Sequence, residues 1–155
     1  MSTLAKGDKA PLFTLKNQDG ESVALKDLQG EKVVLYFYPK DDTPGCTKQA
    51  CNIRDHSKIL KKHKINVFGI SPDDVKSHVD FIEKFDLNFT LLADPGKKAI
   101  EKYGVWVERN MYGNKFMGIK RTTFLINEDG KIHHIIKGVK TGEQTEQILK
   151  YWNLS

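Results

Sequence analysis

Val33-Val34-Leu35-Tyr36-Phe37-Tyr38 is the longest apolar and aromatic run in the chain, and Pro39-Lys40-Asp41-Asp42-Thr43-Pro44-Gly45-Cys46-Thr47 follows it directly. Six consecutive β-formers without polar alternation describe a central strand covered on both faces. Pro39 ends it, because proline has no N–H to offer a sheet ladder. Thr43 then suits a helix N-cap, and Pro44 suits the first helical position, where a missing N–H costs nothing. A buried strand feeding a helix through a short loop is the repeating unit of an α/β fold.

The pattern continues along the chain. Residues 46–62 carry Ala50, Ile53, Ile59 and Leu60 at the spacing of one helix face. Ile65-Asn66-Val67-Phe68-Gly69-Ile70 predicts a second buried strand. Ser71-Pro72-Asp73-Asp74 opens a helix in which Val75, Val79, Ile82 and Phe85 recur at helical spacing. Residues 89–92 read as a short strand stopped by Asp94-Pro95-Gly96, and residues 99–103 as a short helix. Residues 122–126 and 131–136 form a hairpin around Asn127-Glu128-Asp129-Gly130, and residues 143–152 close the chain as a helix. Upstream, residues 12–15 and 22–25 flank Asn17-Gln18-Asp19-Gly20 as another hairpin.

The expected fold is α/β: a thioredoxin-like layout with a mixed central sheet flanked by helices and an added N-terminal β-hairpin, one domain over residues 1–155. Residues 105–120 show no clean periodicity. They are expected to form a loop covering part of a site, with Trp106, Met111, Tyr112, Phe116 and Met117 packing over what lies below.

Composition narrows the class. With 155 residues, 39% hydrophobic and 29% charged, the chain is neither disordered nor fibrous. No run approaches the roughly 20 apolar residues of a membrane-crossing helix. Met1-Ser2-Thr3-Leu4-Ala5-Lys6-Gly7-Asp8 lacks an apolar signal segment, so a cytoplasmic location without membrane contact is expected. The net charge of +5 is spread among acids. Its main cluster, Lys61, Lys62 and Lys64, falls where a helix should end and cations meet the helix dipole. No nucleic-acid partner is expected.

The chain has two cysteines, Cys46 and Cys51. A disulfide-stapled secreted domain uses more, and a bridge across so short a loop would add little stability. In a reducing cytosol a close pair is chemical rather than structural. Cys46 falls in the first turn of its helix, among unpaired N–H groups at the positive end of the dipole, a position that favours thiolate. Gly45 lets a ligand approach the main chain, and the Thr43 hydroxyl can point into the same pocket. A buried-filler role for Cys46 is the bland alternative; the Thr-Pro-Gly turn before it and the second cysteine after it weigh against that. A metal site gathering Cys46, Cys51, His56, His133 and His134 has no recognised ligand spacing, so neither metal nor cofactor is expected. Adjacent strand residues such as His133 and His134 point to opposite faces. The Cys-x-x-Cys of a thioredoxin-type oxidoreductase is absent.

Pro39-x-x-x-Thr43-x-x-Cys46 resembles the active-site motif of the peroxiredoxins. The longer string from Tyr36 to Thr47 is similar to the bacterioferritin comigratory protein, or peroxiredoxin Q, branch. Gly69-Ile70-Ser71, Phe89-Thr90-Leu91-Leu92-Ala93-Asp94, Tyr103-Gly104-Val105-Trp106 and Arg121-Thr122-Thr123-Phe124-Leu125-Ile126 extend the resemblance over nearly the whole chain. It implies that Cys46 is the peroxidatic cysteine and that Cys51 is the resolving cysteine, joined to Cys46 in an intramolecular disulfide. It also implies that Thr43, Pro39, Pro44 and Gly45 shape the substrate pocket and that Arg121 is the active-site arginine. The implied substrates are hydrogen peroxide and organic hydroperoxides, the reductant thioredoxin or a similar dithiol, and the state monomeric.

On its own residues, Arg121 reads as an ordinary surface or paired arginine at the start of a strand. Gln49 stands where many members carry Glu, and no catalytic role is expected of it. The alternative function is a redox-sensing or chaperone-like binding module that uses the same cysteine pair without efficient turnover. Either use requires movement. Helical residues five apart have Cα atoms about 8.5 Å apart with side chains about 140° apart around the axis, whereas a disulfide needs less than about 7 Å.

Overall fold

The computed structural model describes residues 4–154; Met1 to Thr3, where the N-terminal stretch read above begins, and Ser155 lie outside the described residues. The strands are β1 (Thr14–Asn17), β2 (Ser22–Ala24), β3 (Lys32–Phe37), β4 (Ile65–Ser71), β5 (Thr90–Ala93), β6 (Trp106–Met111), β7 (Asn114–Ile119), β8 (Thr122–Ile126) and β9 (Ile132–Ile136). The helices are α1 (Pro44–Asp55), α2 (Ser57–Lys62), α3 (Val75–Phe85), α4 (Lys98–Lys102) and α5 (Gln144–Tyr151). Seven strands form one sheet in the order β2-β1-β5-β4-β3-β8-β9. The β3, β4 and β5 strands run parallel, while β8 and β9 on one side and β1 and β2 on the other are antiparallel. The mixed sheet, its helices and the N-terminal hairpin are those the sequence predicts.

β3 sits at the centre because it has no polar face. Val33, Leu35 and Phe37 point into one core layer with Phe68, Ile70, Tyr103 and Phe124. Val34 and Tyr36, with Tyr38 just beyond the strand, point into the other with Ala50, Ile53, Phe81 and Ile148, as the period of two requires. Gly69 on β4 is the close approach between strands. A Cβ there would stand 2.7 Å from both the Tyr36 hydroxyl and Leu91 Cδ2, so only glycine fits.

Two expectations are corrected. The single helix over residues 46–62 is two helices, broken at His56, whose ring Nδ1 lies 2.7 Å from the Asn52 carbonyl and whose φ and ψ of −107° and 18° leave the helical region. Residues 105–120 are a regular two-stranded hairpin, β6 with β7, turning on Tyr112 and Gly113 at φ 54° and 82°. Met111, Tyr112, Phe116 and Met117 are exposed rather than packed, so no burial imposes alternation on the sequence.

Below the loop that leaves β3 lies a buried polar cluster. The Asp41 carboxylate accepts from the Tyr38 hydroxyl at 2.5 Å and from the Ser77 hydroxyl at 2.8 Å, and pairs with His78 Nδ1 at 2.7 Å. The Asp41 N–H donates to Asp73 Oδ2 at 2.8 Å, so α3 and its lead-in hold this loop from beneath. Removing one partner strands the rest in a low-dielectric interior. Asp41→Ala should therefore lower unfolding free energy by about 3–5 kcal/mol. Lys84→Ala, which breaks the exposed pair with Asp42, should change it by less than about 1 kcal/mol. Urea midpoints of the two variants check the contrast; equal shifts would contradict it.

Candidate active site

The register of the sheet creates the site. β3 and β8 are antiparallel neighbours with Phe37 opposite Thr122. The chain leaving β3 toward α1 and the residue entering β8, Arg121, therefore meet at the same end of these two neighbouring strands. Thr43 is the N-cap of α1 with extended backbone and Pro44 opens the helix. The first helical N–H bond runs from Thr47 to the Thr43 carbonyl at 2.8 Å. The N–H groups of Gly45 and Cys46 thus belong to the unpaired set at the positive end of the helix.

Cys46 is 2% exposed and forms part of the core layer under α1. Arg121 Nη2 donates to its sulfur at 3.2 Å, and Arg121 Nη1 donates to Gln49 Oε1 at 2.7 Å. Gly45 lies against the guanidinium, where a Cβ would stand 3.2 Å from Nη2. The sulfur thus faces a permanent cation on one side and the helix N-terminus on the other. Both leave donors for an oxygen that gains charge beside the sulfur.

Not every expected residue reaches the sulfur. The Thr43 hydroxyl donates to the Lys40 carbonyl at 2.8 Å rather than capping the helix. Pro39 and Pro44 are exposed on the rim. Cys51 is half-buried on the same helix, and both cysteines are free thiols. Tyr36 packs in the same layer as Cys46. Burial foremost, then the neighbouring Cys46 and Asp41, push its hydroxyl well above its ordinary pKa, so it stays protonated. That hydroxyl has no hydrogen-bond partner among the described residues.

Gln49 is the residue that sequence reasoning missed. It is fully buried and holds Arg121 in place. A signal was available: Gln49 lies three residues after Cys46, on the same helix face, and an arginine directed at sulfur leaves further donors in need of an acceptor. The histidines weighed as ligands lie elsewhere. His133 stacks on Trp152 and His134 on Tyr151, and no cluster of three or more His, Cys, Asp or Glu among the described residues could hold a metal.

The chain matches the AhpC/TSA family over residues 6–135. It is 47% identical over 151 residues to peroxiredoxin Bcp of Escherichia coli, covering 97% of each chain. Among solved structures it resembles the bacterioferritin comigratory protein of Xanthomonas campestris, whose alkyl peroxide reduction activity has been examined in trapped intermediate and ligand complexes. That match has 31% identity and a TM-score of 0.86, over 91% of this chain and 90% of the other. It also resembles a cysteine-to-serine mutant of PrxQ from Xylella fastidiosa, with 29% identity and a TM-score of 0.91 over 99% and 98% of the two chains.

The contact between Gly45 and Arg121 is tight enough to test. Because Gln49 tethers the guanidinium, Gly45→Ala should push Nη2 off the sulfur and slow alkylation of Cys46 by iodoacetamide roughly tenfold, the equivalent of one charge-assisted hydrogen bond. The far-UV circular dichroism spectrum should not change. An unaltered alkylation rate would show that the guanidinium has room to yield.

Proposed function

Given that the chain belongs to the AhpC/TSA family as a Bcp-type peroxiredoxin, a thiol peroxidase, we propose that Cys46 is its peroxidatic nucleophile and Cys51 its resolving cysteine. The observation that carries this reading is the Arg121 guanidinium donating to Cys46 Sγ at 3.2 Å in the first turn of α1. The thiolate of Cys46 attacks the terminal oxygen of a hydroperoxide along the O–O axis. A sulfur–oxygen bond forms, the O–O bond breaks, and the departing alkoxide or hydroxide takes a proton to leave as alcohol or water. Sulfur is oxidised to sulfenic acid while the peroxide is reduced.

The site residues take complementary parts in this step. Arg121 and the Gly45 and Cys46 N–H groups stabilise charge as it moves from sulfur to oxygen. The Thr43 hydroxyl has its hydrogen on the Lys40 carbonyl, which leaves its lone pairs to accept the hydroperoxide O–H. Pro39, Pro44 and Gly45 form the rim that the substrate crosses. The substrates on this reading are hydrogen peroxide and organic hydroperoxides, and the alkyl peroxide activity of the Xanthomonas relative supports the second class.

The thiolate of Cys51 then attacks the sulfenic sulfur. A disulfide forms and hydroxide leaves, taking up a proton to become water. A dithiol of the thioredoxin type reduces the disulfide and is itself oxidised. Nucleophile and resolver lie on one helix of one chain, so no partner subunit is needed and the protein works as a monomer.

Cys46→Ser should abolish peroxide-dependent NADPH consumption coupled through thioredoxin and its reductase. Cys51→Ser should still form sulfenic acid yet turn over poorly. Full turnover by Cys46→Ser would overturn the assignment, and sulfenic acid formation without any turnover in the native chain would favour a sensor. Because the two cysteines cannot bond on an intact helix, oxidation should unwind α1 at least from Cys46 to Cys51. Helical dichroism and amide protection there should both fall; unchanged protection in a confirmed disulfide form would refute it.

A further inference from the structure

Arg121 is held by a chain of amides that leaves the site and crosses to the last helix. Gln49 Oε1 accepts from Arg121 Nη1 at 2.7 Å, and Gln49 Nε2 donates to Gln144 Oε1 at 2.8 Å. Gln144 Oε1 also accepts from the Thr123 hydroxyl at 2.5 Å, and Gln144 Nε2 donates to Gln147 Oε1 at 3.2 Å. Gln147 Nε2 donates in turn to the Gly138 carbonyl at 2.9 Å. Gln49, Gln144 and Thr123 are fully buried, so no water competes for these bonds.

The polarity of this relay is fixed at both ends. A guanidinium only donates, and a backbone carbonyl only accepts. Each glutamine between them carries one acceptor and one donor end, so the whole chain runs in a single direction. The weak link is the Gln49 amide, which presents either its oxygen or its NH₂ to Arg121 after a half-turn. With NH₂ forward, two donors would face each other and Arg121 would lose its tether.

We propose that Gln144, the first residue of α5, is a positioning residue for the peroxidatic step. It offers an acceptor where the Gln49 NH₂ must go, keeps the Gln49 oxygen on Arg121, and so keeps Nη2 on the Cys46 sulfur. Thr123 on β8, two residues after Arg121, pins the Gln144 oxygen in turn. The inference rests on the reading of Arg121 as the partner of the peroxidatic sulfur, and it places a determinant of thiol reactivity on an element that never touches the substrate. It also explains how glutamine suffices at position 49. A carboxylate presents an oxygen in either orientation, whereas an amide needs a neighbour to orient it.

The test is the second-order rate constant for sulfenic acid formation with hydrogen peroxide. It is followed in the reduced full-length chain by quenched mass spectrometry, for the native protein, Gln144→Met, Arg121→Gln and the double variant. Methionine keeps the length of the side chain and removes its acceptor. The expected result is a fall of about tenfold for Gln144→Met and a larger fall for Arg121→Gln, with the double variant no slower than Arg121→Gln, because coupled residues are not additive. A native rate in Gln144→Met alongside a slow Arg121→Gln would overturn the proposal and leave the Arg121 reading standing. A native rate in Arg121→Gln would overturn that reading itself. Fully multiplicative losses in the double variant would make Gln144 a merely structural residue. Should Gln144→Met not fold, Thr123→Val removes only the hydroxyl that pins Gln144. It is expected to slow the reaction about threefold in the native background and not at all in Arg121→Gln; a native rate there overturns the proposal.

Discussion

The antiparallel register of β3 on β8 is the constraint from which the site follows. Phe37 opposite Thr122 sets the last residue of one strand beside the first of the other. It thereby brings residues 75 positions apart, Cys46 and Arg121, to the 3.2 Å of a hydrogen bond. A shift of one residue would turn every β8 side chain to the other face and send Thr123 into the opposite layer. The burial of all five β8 residues prevents this, since neither face tolerates the exchange. The hydrophobic effect, which knows nothing of sulfur chemistry, therefore determines where the cation stands.

α1 meets two opposed demands. In the reduced chain it must be whole, because only a formed first turn aims its N–H groups beside the sulfur. Its polar residues secure it: the Asn52 Oδ1 accepts from the Thr145 N–H at 2.8 Å and Asn52 Nδ2 donates to the Gly142 carbonyl at 2.9 Å, while Gln49 reaches Gln144. These bonds end at the start of α5 or in the turn just before it, so α1 and α5 are joined by hydrogen bonds as well as by packing. The core layer under α1 contains the Tyr36 hydroxyl, unpaired among the described residues, and a buried donor without an acceptor costs about 1–3 kcal/mol. Any opening of α1 that admits water recovers part of that cost, which lowers the free energy of opening relative to a layer filled by phenylalanine.

Much of this was legible in the chain. The unbroken apolar run at 33–38, the proline after it and the Thr-Pro-Gly-Cys entry to a helix give the strand, the turn and the place of Cys46 in the first turn of α1 directly, because each rests on local rules of burial and backbone geometry. What escaped depends on contacts remote in sequence. Gln49, Thr123 and Gln144 are polar residues whose burial reverses their usual placement, and nothing in their local pattern announces partners 72 or 95 positions away. The β6–β7 hairpin escaped for the opposite reason. With most side chains exposed on both faces, no core imposes a period on its sequence, and only its Tyr112-Gly113 turn hinted at it. The break at His56 turns on a single side chain approaching a carbonyl, which helical periodicity does not register.

The loop joining β3 to α1 shows how the fold separates stability from reactivity. Its polar anchor, Asp41 with His78, Ser77 and Tyr38, lies on the α3 side and is buried. Its other end, at Cys46, is held from the opposite direction by Arg121, the residue before β8. Asp42 takes φ 56° between the two, turning the chain sharply enough for one short segment to serve both. Because the two sets of bonds share no side chain, the opening of α1 proposed for the oxidised chain would leave the bonds of the loop base in place. On the proposed cycle, that division lets α1 yield on oxidation while the end of β3 and the loop base keep the position to which its first turn returns.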